Sequence, residues 1–136
     1  MPTSREKIHS FLAEGPHAVV GASIHRHKYG NKVLRCYLQN DRAAYPVNPT
    51  AEQVEGIAAF PDLGSLPEPV HGVSIITPPA VTERVVAEGL ELGIEHFWMQ
   101  PGAQSERATA MIEQAGASVI AGDACLLVVL GYHESG

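Results

Sequence analysis

The chain has 136 residues, 45% of them apolar and 18% charged, and a net charge of -6, which reads as one globular domain over 1–136 with enough length for a core. The acidic balance excludes general nucleic-acid binding, which needs a basic face, and no apolar run approaches the length of a membrane span. Cys36 and Cys125 lie far apart with no CxxC partner and the start over 1–7 is polar, so the sequence predicts a reduced, cytoplasmic protein without signal peptide or disulfide framework.

Thr3-Ser4-Arg5-Glu6 has the spacing of a capping box, with Ile8, Phe11 and Leu12 following at helical intervals and Gly15-Pro16 as the stop. A first strand is predicted over 17–20 and a helix over 30–40, with Val33, Leu34, Tyr37 and Leu38 on one face. A second strand covers 43–47 and ends at Asn48-Pro49. The stretch 56–69, with Pro61, Pro67 and Pro69, reads as an irregular connection with room for one brief strand or turn. A third strand covers 72–76 and ends at Thr77-Pro78-Pro79; a helix over 80–92 follows, with Gly93 as its stop. A fourth strand covers 96–99, ending at Gln100-Pro101-Gly102, and a helix over 105–115 is ended by Gly116. A fifth strand covers 118–121 and leads into Gly122-Asp123-Ala124-Cys125. The apolar tail 126–130 fits a strand or a helix equally, because it has no period.

Strands alternating with helices, each strand a continuous apolar run, predict an α/β fold: a Rossmann-like doubly wound parallel sheet in a single three-layer domain. Ligands of such sheets bind at the carboxyl ends of the strands. Those ends carry Gly21-Ala22-Ser23, Asn48-Pro49, Thr77-Pro78-Pro79, Gln100-Pro101-Gly102 and Asp123. The first of them is the most informative. A strand ending in Gly-Ala-Ser before a helix lets a phosphate approach the backbone and the helix N-terminus. His25, Arg26, His27 and Lys28 gather beside that turn, against the sign of the whole molecule; alone, such a run reads equally as a solvated loop.

A dinucleotide site calls for Gly-x-Gly-x-x-Gly here and an acidic residue at the end of the second strand. Gly21-Ala22-Ser23-Ile24-His25-Arg26 lacks two of the three glycines, and Tyr45-Pro46-Val47-Asn48-Pro49 holds no carboxylate. Asp41 precedes the strand, on the wrong side of the sheet. A bound NAD(P) and an oxidoreductase-like domain are therefore the less favoured alternative, and no Gly-Lys-Ser/Thr P-loop occurs.

Val20-Gly21-Ala22-Ser23, Lys28, Gly30, Tyr45-Pro46-Val47-Asn48-Pro49, Thr77-Pro78-Pro79 and Trp98-Met99-Gln100-Pro101-Gly102 together resemble the small stand-alone CoA-binding proteins, which are similar to the CoA-binding domain of the succinyl-CoA synthetase alpha subunit. The resemblance runs from about Ala18 to Cys125. It implies coenzyme A, free or acylated, as ligand, with contacts from Gly21, Ala22, Ser23, Arg26, Lys28, Tyr29, Gly30, Val47, Asn48, Pro49, Thr77, Pro78, Pro79 and Gln100. By the same likeness the Gly21–Ser23 turn takes the phosphates, Asn48-Pro49 lies near the nucleotide, and Thr77-Pro78-Pro79 lies beside the pyrophosphate and pantetheine arm. The chain departs from the family at Asp123-Ala124-Cys125, where Asp-Arg-Cys is usual.

No Ser-His-Asp order, paired carboxylates or metal-ligand spacing is present, so neither catalysis nor a metal is expected. In the synthetases the phosphorylated histidine lies outside the CoA-binding domain, so a ligase reading requires a partner subunit. The apolar tail leaves a homodimer open as well. Trp98 reads as core, Cys125 as a buried small hydrophobe, and His17, His71 and His96 as strand flanks facing solvent or capping. A side chain at Gly21 is expected to block phosphate approach while sparing the fold.

Overall fold

The structure is a computed structural model that describes residues 2–122 and 124–134. The capping box forms as its spacing predicts. Thr3 Oγ1 accepts from the Glu6 amide at 3.1 Å, Glu6 Oε1 accepts from the Thr3 amide at 3.0 Å, and α1 runs Ser4–Leu12 behind them. The chain continues through β1 (His17–Val20), α2 (Tyr29–Gln39), β2 (Ala44–Val47), β3 (Gln53–Val54), β4 (Ile57–Ala58), a 3-10 turn (Leu63–Ser65), β5 (Gly72–Ile75), α3 (Pro79–Glu91), β6 (His96–Met99), α4 (Glu106–Gln114), β7 (Ser118–Ile120) and α5 (Leu126–Leu130). The tail 126–130 is thus a helix. The brief strand or turn expected within 56–69 is present as β4 and the 3-10 turn, and β4 pairs with β3, just before that stretch, in an antiparallel hairpin that the sequence does not announce.

The five long strands are parallel and stand in the order β2-β1-β5-β6-β7. Counting only these strands, the order is 2-1-3-4-5, so the order in which strands are added across the sheet reverses between β1 and β5. Alternation along each strand divides the core in two. Ala18, Val20, Val73, Ile75, Phe97, Met99 and Val119 point to the side covered by α3, α4 and the 3-10 turn. Val19, Trp98 and Ile120 point to the side covered by α1, α2 and α5. A fully buried Val, Ile, Phe or Met among them contributes about 1.5–3 kcal/mol, so both layers are held firmly on the sheet. The doubly wound, three-layer α/β architecture is as the sequence predicts.

Two readings need correction. Of the two roles expected for His17 the capping one holds, since Nε2 lies 2.7 Å from the Phe11 carbonyl in the last turn of α1, but it does not face solvent: it is 1% exposed, stacked between Phe11 and Tyr37. A histidine that opens a strand still belongs to one face of the sheet, and here that face is roofed by α1. Cys125 is half-buried rather than enclosed, and stands at the N-cap of α5. Trp98 is core as expected, with Nε1 donating to the Ala124 carbonyl at 3.1 Å. No helix among the described residues is long and apolar enough to cross a membrane, and none of their His, Cys, Asp and Glu groups could hold a metal ion.

Candidate functional site

The rim at the reversal between β1 and β5 is built from backbone. Gly21 leaves β1 with φ +96°, and its amide donates to the Val47 carbonyl at 3.3 Å. A Cβ on Gly21 would overlap the Ile76 carbonyl oxygen across the reversal, and a Cβ on Gly30 would overlap the carbonyl oxygen of Gly21 itself. Only two glycines allow α2 to begin directly against this turn. Lys28 caps α2 without a side-chain hydrogen bond. Its carbonyl takes the amides of Asn31 and Lys32, while those of Tyr29 and Gly30 have no partner among the described residues. Two unpaired amides at the positive end of a helix, beside a turn with no room for a Cβ, fit an anionic phosphate group.

The neighbouring loops brace this turn. Asn48 Nδ2 donates to the Ala22 carbonyl at 2.9 Å, and Asn48 Oδ1 accepts from the amides of Thr50 and Ala51, each at 2.9 Å. Ser23 Oγ accepts from the His25 amide at 3.0 Å. Thr77 Oγ1 lies 2.7 Å from Thr82 Oγ1, with Pro78 as the cap of α3 and Pro79 as its first residue. Gly21, Val47, Pro49 and Thr77 line one cleft of about 190 Å³, walled also by Val20, Pro61, Leu63, Val81 and Val85. Its mouth lies where the loop after β1 turns to one face of the sheet and the loop after β5 to the other, which is where such folds take their ligands.

The remaining predicted residues divide. Ala22 is buried; Lys28, Pro78 and Pro79, like His25 and His27, are exposed on the rim. Arg26 pairs with Glu55, Nε to Oε2 at 3.4 Å. Gln100 is wholly buried on the opposite side of the sheet from the cleft, where its Oε1 accepts from Tyr29 Oη at 3.1 Å and from the Leu126 amide at 2.9 Å. Tyr29 Oη also lies 2.8 Å from Cys125 Sγ, and burial raises the Tyr29 phenol above its ordinary range. Asp123 lies outside the described residues.

Three residues were not foreseen. Asn31 is fully buried, and its Nδ2 donates to the Ser23 carbonyl at 2.7 Å and to Glu55 Oε2 at 3.0 Å. Arg35, one turn on, donates to Asn31 Oδ1 at 2.7 Å and to the Arg26 carbonyl at 2.6 Å. The relay fixes the course of the loop over 23–28 from inside α2. Polar residues spaced i, i+4 on the apolar face of a helix were the legible signal for it. Glu55 arrives through the hairpin, whose tip Glu55-Gly56 has positive φ at both residues, 53° and 78°. That is the geometry of a two-residue hairpin turn, and a Glu-Gly pair is a weak announcement of one.

A doubly wound parallel sheet with a glycine turn and helix N-terminus at its reversal point defines a nucleotide-type binding domain. Residues 17–131 match the CoA binding domain family, and the chain belongs to that family. It is 30% identical over 111 residues to the protein YneT of Bacillus subtilis (strain 168), covering 82% of each. A conserved hypothetical protein of Pyrococcus furiosus is similar in structure, with TM-score 0.79 and 35% identity over 83% of this chain and 97% of that one. The apo form of a dinucleotide-forming acetyl-coenzyme A synthetase 1 from Ca. Korarchaeum cryptofilum matches with TM-score 0.67 and 26% identity, over 76% of this chain but 25% of the synthetase.

Proposed function

We propose that the chain binds coenzyme A, free or acylated, at the β1–β5 reversal, in the cytoplasm, and carries out no catalysis of its own. The observation that supports this most is the Gly21–Gly30 contact, which leaves the amides of Tyr29 and Gly30 open beside a turn that admits no side chain, in a chain of the CoA binding domain family. The Gly21–Ser23 turn and those amides would take the pyrophosphate. Asn48-Pro49 and Thr77-Pro78-Pro79 would border the nucleotide and the pantetheine arm, and the apolar cleft walls suit the uncharged parts of the cofactor. A ligase activity, as in the synthetase that this chain resembles, would need a partner subunit, since the match spans a quarter of that protein.

Glu55 is the one feature that favours the dinucleotide alternative, because it brings a carboxylate near the turn although none ends β2. Its Oε2 is, however, already shared between Asn31 and Arg26, which leaves little capacity for ribose hydroxyls. Titration calorimetry should therefore detect CoA binding with a Kd near micromolar, about -8 kcal/mol, and NAD at least ~100-fold weaker. Equal affinities, or a response to NAD alone, would reverse the assignment.

In this reading Arg26 and Lys28, on the loop beside the turn, would be the cations that meet a phosphate. The Arg26–Glu55 pair is half-exposed on the arginine side, 49%, and pairs of that kind contribute about 0–1 kcal/mol. A phosphate, offering charge-assisted bonds of about 1.5–3 kcal/mol, can displace the carboxylate. The double change Arg26→Ala with Lys28→Ala is expected to weaken CoA about tenfold and dephospho-CoA less, if the pair meets the 3′-phosphate. Equal weakening moves the contact to the pyrophosphate. Added salt should reduce the wild-type affinity and leave the double variant nearly unaffected.

A further inference from the structure

Behind the first turn of α2 lies a group of polar atoms that cofactor binding at the cleft does not use. Cys125 Sγ sits 2.8 Å from Tyr29 Oη, which sits 3.1 Å from Gln100 Oε1. The Leu126 amide, a donor only, faces the same Gln100 oxygen at 2.9 Å, and this fixes which way the amide of Gln100 points. Gln100 Nε2 is then left fully buried with no partner among the described residues. Its anchors, Tyr29 and Leu126, are the hydrogen-bond partner of Cys125 and its chain neighbour, so the carboxamide that carries the open donor is joined to the thiol through Tyr29. A buried, unpaired amide N–H is destabilising, and it calls for an acceptor such as the amide carbonyls that a pantetheine arm carries. The distance is favourable. Tyr29 begins the helix whose free amides face the phosphate, so Cys125, although on the far side of the sheet from the cleft, is one tyrosine length from the phosphate end, and an arm that crosses the strand ends there, in place of lying along the cleft, meets it.

We propose that Cys125 is a thiol–disulfide exchange site that captures coenzyme A from its disulfide; the inference rests on the CoA-binding reading above. Cys125 loses its proton, and the thiolate attacks one sulfur of the CoA disulfide. A new sulfur–sulfur bond joins Cys125 to one CoA, the old one breaks, and the second CoA leaves as a thiolate that takes up the proton. No net electrons are transferred, and the CoA disulfide is the only co-reactant. Tyr29 assists because its hydroxyl hydrogen can turn from Gln100 Oε1 to the thiolate sulfur, leaving Oε1 still bonded to the Leu126 amide. The second cysteine is unsuited: Cys36 is fully buried, and its thiol is pushed up to about 11, first by burial and then by the neighbouring Cys125.

The test is intact-mass spectrometry of the full chain incubated with CoA disulfide, with glutathione disulfide at equal concentration as comparison. Wild type and Cys36→Ala should each gain one CoA less two hydrogens, removable by dithiothreitol, at least ~10-fold faster than they gain glutathione. Cys125→Ser should gain none, and Tyr29→Phe should react several-fold more slowly. Labelling of Cys125→Ser at the wild-type rate, or equal rates with both disulfides, overturns the proposal and leaves only an accessible thiol. Calorimetry with reduced CoA separates the two levels of the argument. Wild type that binds reduced CoA but forms no adduct overturns this inference alone, whereas wild type that does not bind it overturns the functional reading as well.

Discussion

Gly30→Ala is expected to destabilise the protein by about 3–4 kcal/mol, although alanine in place of glycine within a helix is ordinarily worth about 1 kcal/mol of stability. The sign reverses because the added Cβ would overlap the carbonyl oxygen of Gly21, and a backbone atom cannot turn aside as a side chain would. Gly21→Ala should cost at least as much. Its φ of +96° is unfavourable to any L side chain, and its Cβ would meet the Ile76 carbonyl. Gly93→Ala is the control: its φ is +81°, but nothing lies within 4 Å of a Cβ there, so only the backbone term of about 1 kcal/mol is expected. Urea unfolding followed by circular dichroism and by the fluorescence of buried Trp98 would measure all three. A Gly30→Ala protein as stable as wild type would mean that α2 does not press on the turn. The sequence reading expected a side chain at Gly21 to spare the fold while blocking phosphate. It is corrected here, because the same lack of space that suits a phosphate also seats β1 against β5.

The strand ends were legible because each is punctuated. Gly21, Asn48-Pro49, Thr77-Pro78-Pro79 and Gln100-Pro101-Gly102 stop a strand through local chemistry, and local chemistry is what a sequence displays. The boundaries of α3 and α4 differ from expectation by a residue at each end for the same reason, since Pro79 begins one and Ser105 caps the other. What a single sequence does not display is which loops meet. Glu55 lies 24 residues from Asn31, and the hairpin that joins them has strands of two residues each, too short for any alternation to register. Gln100 was expected on the rim because it follows a strand. The side chain instead turns beneath Tyr29, toward a helix, α5, whose apolar run carried no period. The candidate site was therefore readable as a set of backbone turns, and its side-chain network was not.

Stability should fall as pH falls from about 6.5 to about 4, and His17 should account for much of the loss. Nε2 of His17 lies 2.7 Å from the Phe11 carbonyl oxygen, which can only accept, so the proton of the neutral ring sits on Nε2 and Nδ1 is a bare lone pair. Nδ1 is buried without a partner among the described residues. A second proton would have to enter there, with Tyr37 of α2 and Phe11 of α1 stacked on the ring faces. The other basic groups that face it, His71 before β5, Arg42 before β2 and His96 on β6, would all repel the charge. Burial is the largest cause, these charges add to it, and the bond to Phe11 opposes them; together they hold the His17 pKa down at about 4. Burial lowers His96 too. The unfolded chain takes up the His17 proton near its ordinary 6.5, so between those values it binds more protons than the folded one, and stability must rise with pH. The stabilisation is complete above about 6.5 and gone below about 4, a span of about 3 kcal/mol for His17 at 1.36 kcal/mol per pH unit. His17→Gln keeps a donor for the Phe11 carbonyl but does not titrate. Urea unfolding at pH 7 and 4.5 should show wild type losing about 2 kcal/mol more than this variant. Parallel losses in the two proteins would mean that His17 is charged in the fold, and that α1 opens to let it be.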